Sequence, residues 1–307
     1  MTLQQLDYVL AIDEYHQFVK AAESRGITQS TLSSMIKKLE EELDLVIFDR
    51  NSHPVRPTEA GQAIIDKARI VLYHANQLKE TVLSERKKTM GRLSIGITPT
   101  IAPCIIPKMF GHMRQHTGID LHAYEMNRDT IIEKLKTAQL DMGIMSIAHE
   151  IESLLEIPLY TEEFVAYVSP HDPLIQQQNV DCNFMPLDRI WVLQHEISFQ
   201  EQVNIFETKE PGRRAIYESG NIPTLLHLIN ANDGFTVLPE LHVPLLRQED
   251  QLNVRPLVNP TPTRRVSLFV RQDYVREGML NIVADAIKTI IPDHMIDEHL
   301  AKYPIRL

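Results

Sequence analysis

The side chains best suited to chemistry in the N-terminal part of the chain are amides, hydroxyls and cations between residues 28 and 56. A glutamine amide can form two hydrogen bonds with an adenine edge, serine hydroxyls donate or accept, and basic side chains neutralise phosphates. These residue types predict contacts with double-stranded DNA, the alternative being a polar helix face that only meets water. The candidate base readers are Gln29, Ser30, Ser33 and Ser34. The candidate phosphate or groove contacts are Thr31, Lys37, Arg50, Ser52 and His53.

Sequence motifs for metal binding or catalysis are absent. Cys104 and Cys182 are the two cysteines, and their spacing forms neither a CxxC motif nor a zinc-ligand pattern. Apolar neighbours favour a buried, unreactive thiol at Cys104; a disulfide between the two cysteines stays open, because it depends on a distance that the sequence does not give. His112 and His116 have i,i+4 spacing but lack the glutamate of a metalloprotease motif. We expect no metal, no cofactor and no enzymatic activity.

Two short helices joined by a glycine-containing turn are predicted to position the candidate DNA contacts. The first covers residues 18–24, Gly26 interrupts the chain, and Thr28 suits the N-cap of the second helix. Apolar residues recur on one face of the second helix, namely Leu32, Met35, Ile36, Leu39 and Leu43. This arrangement is a helix-turn-helix, whose second helix enters the major groove of DNA.

Two further elements follow the predicted helix-turn-helix. Residues 48–57 are short, interrupted by proline and basic, as expected for a wing beside the recognition helix. The sequence Thr58-Glu59-Ala60-Gly61 then opens a long helix that extends to Lys88. Long amphipathic helices between domains commonly form dimers, so a homodimer is expected.

From residue 90 onward the pattern changes to short β-rich runs that alternate with helical segments. The predicted strands cover residues 93–97, 119–123, 142–145, 165–168, 191–193, 235–238 and 266–270. Alternation of this kind predicts an α/β domain.

The length of 307 residues suits about two domains. Residues 1–90 hold 12 basic and 13 acidic side chains, which leaves 19 and 28 for the rest, in a chain of net charge −10. This acidity argues against a protein that coats nucleic acid without selectivity, and it is compatible with a local DNA-binding face. No apolar run approaches the roughly 18 residues of a membrane span, and no signal peptide is visible. We expect a cytoplasmic protein with no membrane partner.

Five segments carry a family resemblance: FVKAAE (18–23), ITQSTLS (27–33), IKKLE (36–40), FDR (48–50) and TEAG (58–61). They resemble the winged helix-turn-helix of LysR-type transcriptional regulators, and the resemblance extends over essentially the whole chain. It implies a linker helix followed by a two-lobed effector domain similar to periplasmic binding proteins. It also implies dimers or tetramers on a bent promoter operator, a small-molecule effector and contact with RNA polymerase.

Within the family, the chain most resembles the peroxide-responsive regulators, but it departs from them at decisive positions. Their reactive cysteine corresponds here to Ser198, and no second cysteine follows at residues 203–208. Gln200 replaces an arginine that would stabilise a thiolate, and a serine hydroxyl does not form the oxidisable nucleophile that a thiolate provides. Ser30 also stands where the family usually has proline. A peroxide-responsive regulator therefore stays an alternative, as does a solute-binding or enzymatic α/β protein.

Candidate effector contacts lie at strand ends and helix starts, where hydroxyls and backbone amides converge in binding proteins. Thr98 and Thr100 follow the first predicted strand, and Ser146 follows the strand at 142–145. The family resemblance places a further group near the same cleft: His195, Ser198, Asn221, Thr224 and Gly234. Each threonine or asparagine has an alternative role as a simple helix cap.

The predicted architecture is an all-α winged helix-turn-helix domain followed by a two-lobed α/β domain. The expected boundaries are 1–60 for DNA binding, 61–89 for the linker helix and 90–307 for the effector domain. Lobe I is expected to contain residues 90–162 and 267–307, and lobe II residues 163–266, so that the second lobe is an insertion in the first.

Overall fold

The computed structural model describes residues 1–87, 91–116, 119–147, 149–191 and 221–306. The chain divides into two units. The N-terminal unit consists of Met1–Gly91 with Lys136–Gln139, and the C-terminal unit consists of Arg92–Leu135 and Leu140–Leu307.

Three helices begin the N-terminal unit: α1 (Leu3–Tyr15), α2 (Phe18–Ser24) and α3 (Gln29–Leu43). Thr2 caps α1, since its hydroxyl accepts from the Gln5 amide at 3.2 Å while its own amide donates to the Gln5 side chain at 2.9 Å. The core of this unit includes Val9, Ile12, Ala21, Leu32 and Ile36, each fully buried. The predicted apolar face of α3 therefore lies against α1 and α2.

A two-stranded wing and a long helix complete the N-terminal unit. Strand β1 (Phe48–Asp49) pairs antiparallel with β2 (Arg56–Pro57), and α4 spans Glu59–Lys87. Thr58 caps the start of α4 by accepting from the Gly61 amide at 2.9 Å. A Cβ atom at Gly61 would come within 1.9 Å of the Ile47 carbonyl oxygen, so only glycine allows α4 to begin this close to the backbone.

In its described residues, the C-terminal unit has eight hydrogen-bonded strands. They are β3 (Gly91–Ile97), β4 (Ile119–Glu125), β5 (Met142–Met145), β6 (Leu154–Val168), β7 (Val180–Asp181), β8 (Phe235–Pro239), β9 (Val254–Val258) and β10 (Thr263–Arg271). The order is β4-β3-β5-β10-β6-β9-β7, with β8 also paired to β6. Strands β3 and β5 are parallel, as helical crossovers require, whereas β10 is antiparallel to β5 and β6.

Two long strands connect the two lobes of the C-terminal unit. The first part of β6 pairs with β10 from Leu154 to Glu163, and its last part, Phe164 to Val168, pairs with β8 and β9. The β6–β10 register shifts between Val266 and Ser267. We call the β3, β4 and β5 side lobe I and the β7, β8 and β9 side lobe II.

Helices cover the sheets of both lobes. Lobe I carries α5 (Ala102–His116), α6 (Arg128–Lys136), α9 (Glu277–Ile290) and α10 (Glu298–Lys302), and lobe II carries α7 (Ile222–Ala231) and α8 (Gln248–Gln251). Five short 3₁₀ helices lie at 173–176, 182–184, 187–189, 240–245 and 293–295 in the described residues. The predicted fold class, a helical N-terminal domain followed by a two-lobed α/β domain, is confirmed. Among the described residues, no helix is long and apolar enough to cross a membrane.

Candidate functional site

The first candidate site is the exposed face of α3. Gln29, Ser30, Thr31, Ser34 and Lys37 are exposed, opposite the buried apolar face of the helix. The Thr28 hydroxyl accepts from the Thr31 amide at 3.2 Å and lies within 2.9 Å of the Ser30 and Thr31 hydroxyl oxygens. The N-terminal end of α3 therefore presents several hydroxyls and an amide to solvent, an arrangement that suits base edges and phosphates.

Arg50, on the loop after β1, is held at the edge of α3. Its guanidinium donates to Glu40 at 2.7 Å and lies over the Phe18 ring at 5.5 Å. It also reaches the Ser33 hydroxyl at 3.5 Å, and Ser33 is partly buried. Glu40 also accepts from the Ile47 amide at 2.8 Å, which fixes the carboxylate that positions Arg50.

Ser52 and His53, the two predicted contacts in the wing turn, have different environments. Ser52 stabilises the wing turn, because its hydroxyl donates to the Asp49 carbonyl at 2.9 Å and accepts from the Arg56 amide at 3.0 Å. His53 is exposed. All nine predicted DNA contacts thus lie within the N-terminal unit, and their contact with DNA stays a prediction.

The second candidate site is a cavity of about 730 Å³ in the C-terminal unit, at the carboxyl end of β3 and beside α7. Half of its described lining residues are apolar or proline: Pro99, Pro103, Ile222, Pro223, Leu226, Leu245 and Leu246. The other half carry polar or charged groups: Glu125, Asn221, His227, Asn230, His242, Arg247 and Asp250. A volume of this size suits a small organic molecule, and the mixed wall is typical of ligand sites.

A hydrogen-bonded network forms one wall of the cavity. Arg247 Nε donates to Asp250 Oδ2 at 2.8 Å, and the Tyr167 hydroxyl donates to Asp250 Oδ1 at 3.0 Å. Although burial alone would raise the pKa of Asp250, hydrogen bonds from Arg247, Tyr167 and Asn230 hold that pKa below its ordinary value. The same pair with Asp250 raises the pKa of Arg247. The charges of this wall, on Arg247 and Asp250, are therefore held in place and paired with each other.

A second network, which is buried, lies where β6 and β10 pass between the two lobes. Arg264 on β10 forms a salt bridge with Glu162 on β6 at 2.9 Å, and both side chains are almost completely buried. Arg264 also donates to the Thr100 hydroxyl at 2.8 Å, and the Leu241 amide donates to Glu162 at 3.1 Å. The His242 imidazole lies 2.7 Å from the Thr100 carbonyl oxygen. The network therefore joins lobe I, through Thr100, to lobe II, through Leu241 and His242.

The structure separates the predicted effector contacts into several environments. Asn221 lines the cavity and also caps α7, since its side chain accepts from the Thr224 amide at 3.1 Å. Thr98 and Thr100 flank Pro99 of the cavity wall, but Thr100 is buried with its hydroxyl bonded to Arg264. Ser146 is partly buried just after β5, and Thr224 is exposed. His195 and Ser198 lie outside the described residues.

The backbone geometry at Gly234 explains why this position is glycine, and no ligand contact is needed for that explanation. Its φ of +98° falls in the region that favours glycine, and a Cβ atom would come within 2.2 Å of the Arg189 carbonyl oxygen. Its amide donates to Asp172 at 3.0 Å, and Asp172 also forms a salt bridge with Arg189 at 2.9 Å. Gly234 thus closes a tight corner before β8.

Several cavity residues were not predicted from the sequence, among them Glu125, Leu226, Leu245 and Asp250. One usable signal existed for part of the set, because Arg247 and Asp250 have the i,i+3 spacing of a helical ion pair. No local pattern indicates that Glu125, at the end of β4, shares a cavity with α7, since about a hundred residues separate them.

Both thiols lie in environments that suppress ionisation. Burial, together with the nearby Glu162 carboxylate, raises the pKa of Cys104 to about 12, and the thiol donates to the Leu241 carbonyl at 3.4 Å. Burial and the adjacent Asp181 raise the pKa of Cys182 to about 11. Neither cysteine forms a disulfide. Peroxide reacts with thiolates, so both positions are poorly suited to peroxide sensing.

Comparison with known families identifies both parts of the chain. Residues 3–62 match the model "Bacterial regulatory helix-turn-helix protein, lysR family", and residues 86–298 match the model "LysR substrate binding domain". The chain belongs to the LysR family. It is therefore a LysR-type transcriptional regulator that binds DNA, as the sequence predicted.

Relatives within the LysR family include peroxide-responsive regulators. The "Hydrogen peroxide-inducible genes activator" of Haemophilus influenzae is 29% identical, with 95% of this chain and 99% of the relative covered. OxyR of Escherichia coli K12 is 28% identical, with 96% and 97% covered. A full-length OxyR variant from Pseudomonas aeruginosa superposes with a TM-score of 0.81 at 26% identity, covering 97% of this chain and 98% of that one. The predicted resemblance to this branch of the LysR family is confirmed.

Proposed function

We propose that this LysR-family regulator responds to a small molecule bound in the cavity of its C-terminal unit, and not to oxidation of its thiols. The observation that supports this proposal is the cavity itself. It has apolar walls and a few convergent polar groups, and it lies beside the network that joins the two lobes. A ligand that binds one arrangement of the lobes more tightly shifts the population toward that arrangement.

The proposed DNA contacts are the nine residues predicted from the sequence. Gln29, Ser30 and Ser34 are the proposed base readers on the exposed side of α3, with Ser33 beside Arg50 at the edge of the face. Thr31, Lys37, Arg50, Ser52 and His53 are proposed as phosphate or groove contacts. Residues 1–60, 61–89 and 90–307 are the proposed DNA-binding, linker and effector parts.

Pairing of two copies through α4 is part of the proposal. Ile64, Ile65, Ala68 and Leu72 face the core of the N-terminal unit, whereas Val71 and Leu78 are 42% and 71% exposed. These two residues lie two helical turns apart on one side of α4, the spacing of a helix-pairing seam. Two copies would place two recognition helices in successive major grooves. Assembly into tetramers and contact with RNA polymerase are further expectations of this proposal.

Filling the cavity tests the proposal. Leu245 lines the cavity and is 54% exposed, so Leu245→Trp adds bulk there without disturbing the core. The matched control is Leu252→Trp, because Leu252 is 76% exposed and does not line the cavity. The assay is nuclease footprinting on the DNA upstream of the gene for this protein, with and without a protein-free filtrate of cell extract.

The expected result separates DNA binding from the response. Wild type and Leu252→Trp should give a footprint whose extent changes with the filtrate, and Leu245→Trp should keep the footprint but lose the change. A Leu245→Trp protein that responds like wild type would contradict the proposed effector site.

Peroxide-dependent regulation is the second candidate, and the peroxide-responsive relatives favour it. It would have to operate through Cys104 or Cys182, the two cysteines of the chain. Their raised pKa values leave little thiolate near neutral pH, which supports the small-molecule proposal over this one.

A further inference from the structure

The charged groups of the cavity restrict the kind of molecule that it binds. Its apolar side consists of prolines and branched aliphatic side chains on α7 and the segment before α8. Such a wall favours an apolar body, since burial of apolar surface stabilises a complex. The selectivity must then come from the few polar groups that remain available to a ligand.

Most polar groups of the lining are already bonded within the protein. Arg247, the cation among the described lining residues, donates from Nε to Asp250 at 2.8 Å and from Nη1 to Glu249 at 2.5 Å. Asn230 donates to Asp250 at 3.2 Å and lies 2.8 Å from the Tyr167 hydroxyl. His242 is buried, and its imidazole lies within hydrogen-bond distance of the Thr100 carbonyl oxygen. Arg247 is thus paired with two carboxylates, which weakens its attraction for an anion.

Among the described lining residues, Glu125 and His227 are available to a ligand. Both are exposed, and within the described parts of the chain neither side chain has a hydrogen bond or ion pair. A carboxylate accepts hydrogen bonds and attracts cations, and a neutral imidazole nitrogen can accept a further N–H. With Arg247 paired, the uncompensated charge of the described lining is the negative charge of Glu125.

We propose that the cavity binds an apolar amine, whose ammonium group pairs with Glu125 while its hydrocarbon body lies against Leu226, Leu245 and Pro103. This proposal rests on the proposed function, since it names the class of effector for the same cavity. Anions are disfavoured by the Glu125 carboxylate, and neutral molecules gain only the apolar contact. Glu125 is accordingly the specificity-determining residue.

Calorimetric titration of the full-length protein with three matched probes tests this inference. The probes are 2-phenylethylamine, 2-phenylethanol and 3-phenylpropionate, which share an aromatic body and differ in the charge of the head group. We expect the amine to bind about fivefold more tightly than the alcohol, the gain of one partly exposed ion pair, and more tightly still than the carboxylate.

Two substitutions localise the preference. Glu125→Gln keeps the shape but removes the charge, so it should weaken amine binding about fivefold and leave alcohol binding unchanged. Glu152→Gln is the matched control, because Glu152 is an exposed glutamate of lobe I outside the cavity lining. Leu245→Trp should weaken binding of the amine and the alcohol alike, since it fills the cavity.

The possible failures are distinguishable. Equal or tighter binding of the alcohol or the carboxylate, lost in Leu245→Trp, would overturn the amine preference and leave the cavity as the effector site. Amine binding that is unaffected by Glu125→Gln would likewise overturn it. Failure of all three probes to bind at millimolar concentration overturns the amine inference, and the footprint of Leu245→Trp then decides separately whether the proposed function also fails.

Discussion

The exposed face of α3 and the interior of the C-terminal unit use polar side chains in opposite ways. On α3, Gln29, Ser34 and Lys37 project into solvent and are positioned only by the helix that carries them. In the C-terminal unit, Arg264 and Glu162 are 1% and 0% exposed, and each makes several bonds to groups distant in the chain. The exposed groups are free to meet a partner, whereas the buried groups hold one arrangement of the protein.

This difference teaches that charge has a different cost in the two regions. An exposed lysine loses little when its neighbour is removed, because water solvates it. A buried carboxylate that loses its cation keeps its desolvation penalty without compensation. Substitutions of equal chemistry should therefore have large effects on stability in the C-terminal unit and small effects in α3, where the effect appears in DNA binding.

The largest expected effect is at the buried salt bridge. Arg264→Met should destabilise the C-terminal unit by about 3–5 kcal/mol, because it leaves Glu162 buried without a cation. Trp191 is the only tryptophan and lies in this unit, so its fluorescence during urea unfolding reports the loss. The control is Arg265→Met on the same strand, where the side chain is 56% exposed and a change below about 1 kcal/mol is expected.

Combining the substitution with a change of its partner sharpens this prediction. The double variant Arg264→Met with Glu162→Leu removes both charges and should recover much of the lost stability. If Arg264→Met and Arg265→Met had equal effects on the unfolding midpoint, the contrast between buried and exposed charge would be wrong.

The thiols should react slowly, because both are partly buried and have raised pKa values. A pKa of about 12 at Cys104 and about 11 at Cys182 lowers the thiolate fraction at pH 8 by about a thousandfold and a hundredfold relative to a thiol of pKa 9.0. Reaction with a chromogenic disulfide reagent should be at least about a hundredfold slower in native protein than in urea. Since folding favours the neutral thiols, their contribution to stability is present below about pH 9 and is lost as the pH rises toward 11–12.

The separate cysteine variants distinguish the two thiols. Cys182→Ser leaves Cys104 as the reporting group, and the reverse variant leaves Cys182. A native thiol that reacts at the rate measured in urea would contradict the raised pKa values.

A backbone substitution should have a smaller but still clear effect. Gly234→Ala should destabilise the C-terminal unit by about 2 kcal/mol, because the residue has a φ of +98° and an added Cβ meets the Arg189 carbonyl. Gly278→Ala is the matched control, since nothing lies within 4 Å of the added Cβ in α9. Thermal unfolding followed by Trp191 fluorescence compares the two. A similar change in both variants would contradict the tight corner at Gly234.

The smallest effect on stability is expected on α3. Lys37→Ala should leave unfolding almost unchanged, weaken DNA binding severalfold for all sequences, and reduce the slope of log K against log salt by about 0.9 per subunit. The control is Lys302→Ala, because both lysines are exposed and pair with a glutamate at i,i+4 spacing. Fluorescence anisotropy at several salt concentrations measures both slopes, and an unchanged slope for Lys37→Ala would exclude a phosphate contact.

The same contrast explains how far the sequence predicts the structure. The recognition helix was predictable because its information is local: Thr28 as the cap, with Leu32, Ile36 and Leu39 on the buried face. The long helix was predicted to open at residues 58–61 and begins at Glu59. The alternating pattern after residue 90 also predicted an α/β domain, which is confirmed.

The cavity was largely unpredictable, because residues far apart in the chain form it. Asn221 lines the cavity, and its contact with an effector stays a prediction, whereas Thr100 bonds to a residue 164 positions away and Gly234 serves backbone geometry. A threonine at a strand end has the same local sequence whether it faces a ligand or an arginine. Arg264 reaches Thr100 only because β10, paired with β6, passes from one lobe to the other.

The central claim is that DNA binding by this LysR-family regulator follows occupancy of its cavity and not oxidation of its thiols. Footprinting of purified protein on the DNA upstream of its gene, with hydrogen peroxide and with reductant, tests it most directly. We predict identical footprints under both conditions for wild type and for the Cys104→Ser, Cys182→Ser double variant. A wild-type footprint that changes only on oxidation, and is fixed in the double variant, would contradict the claim.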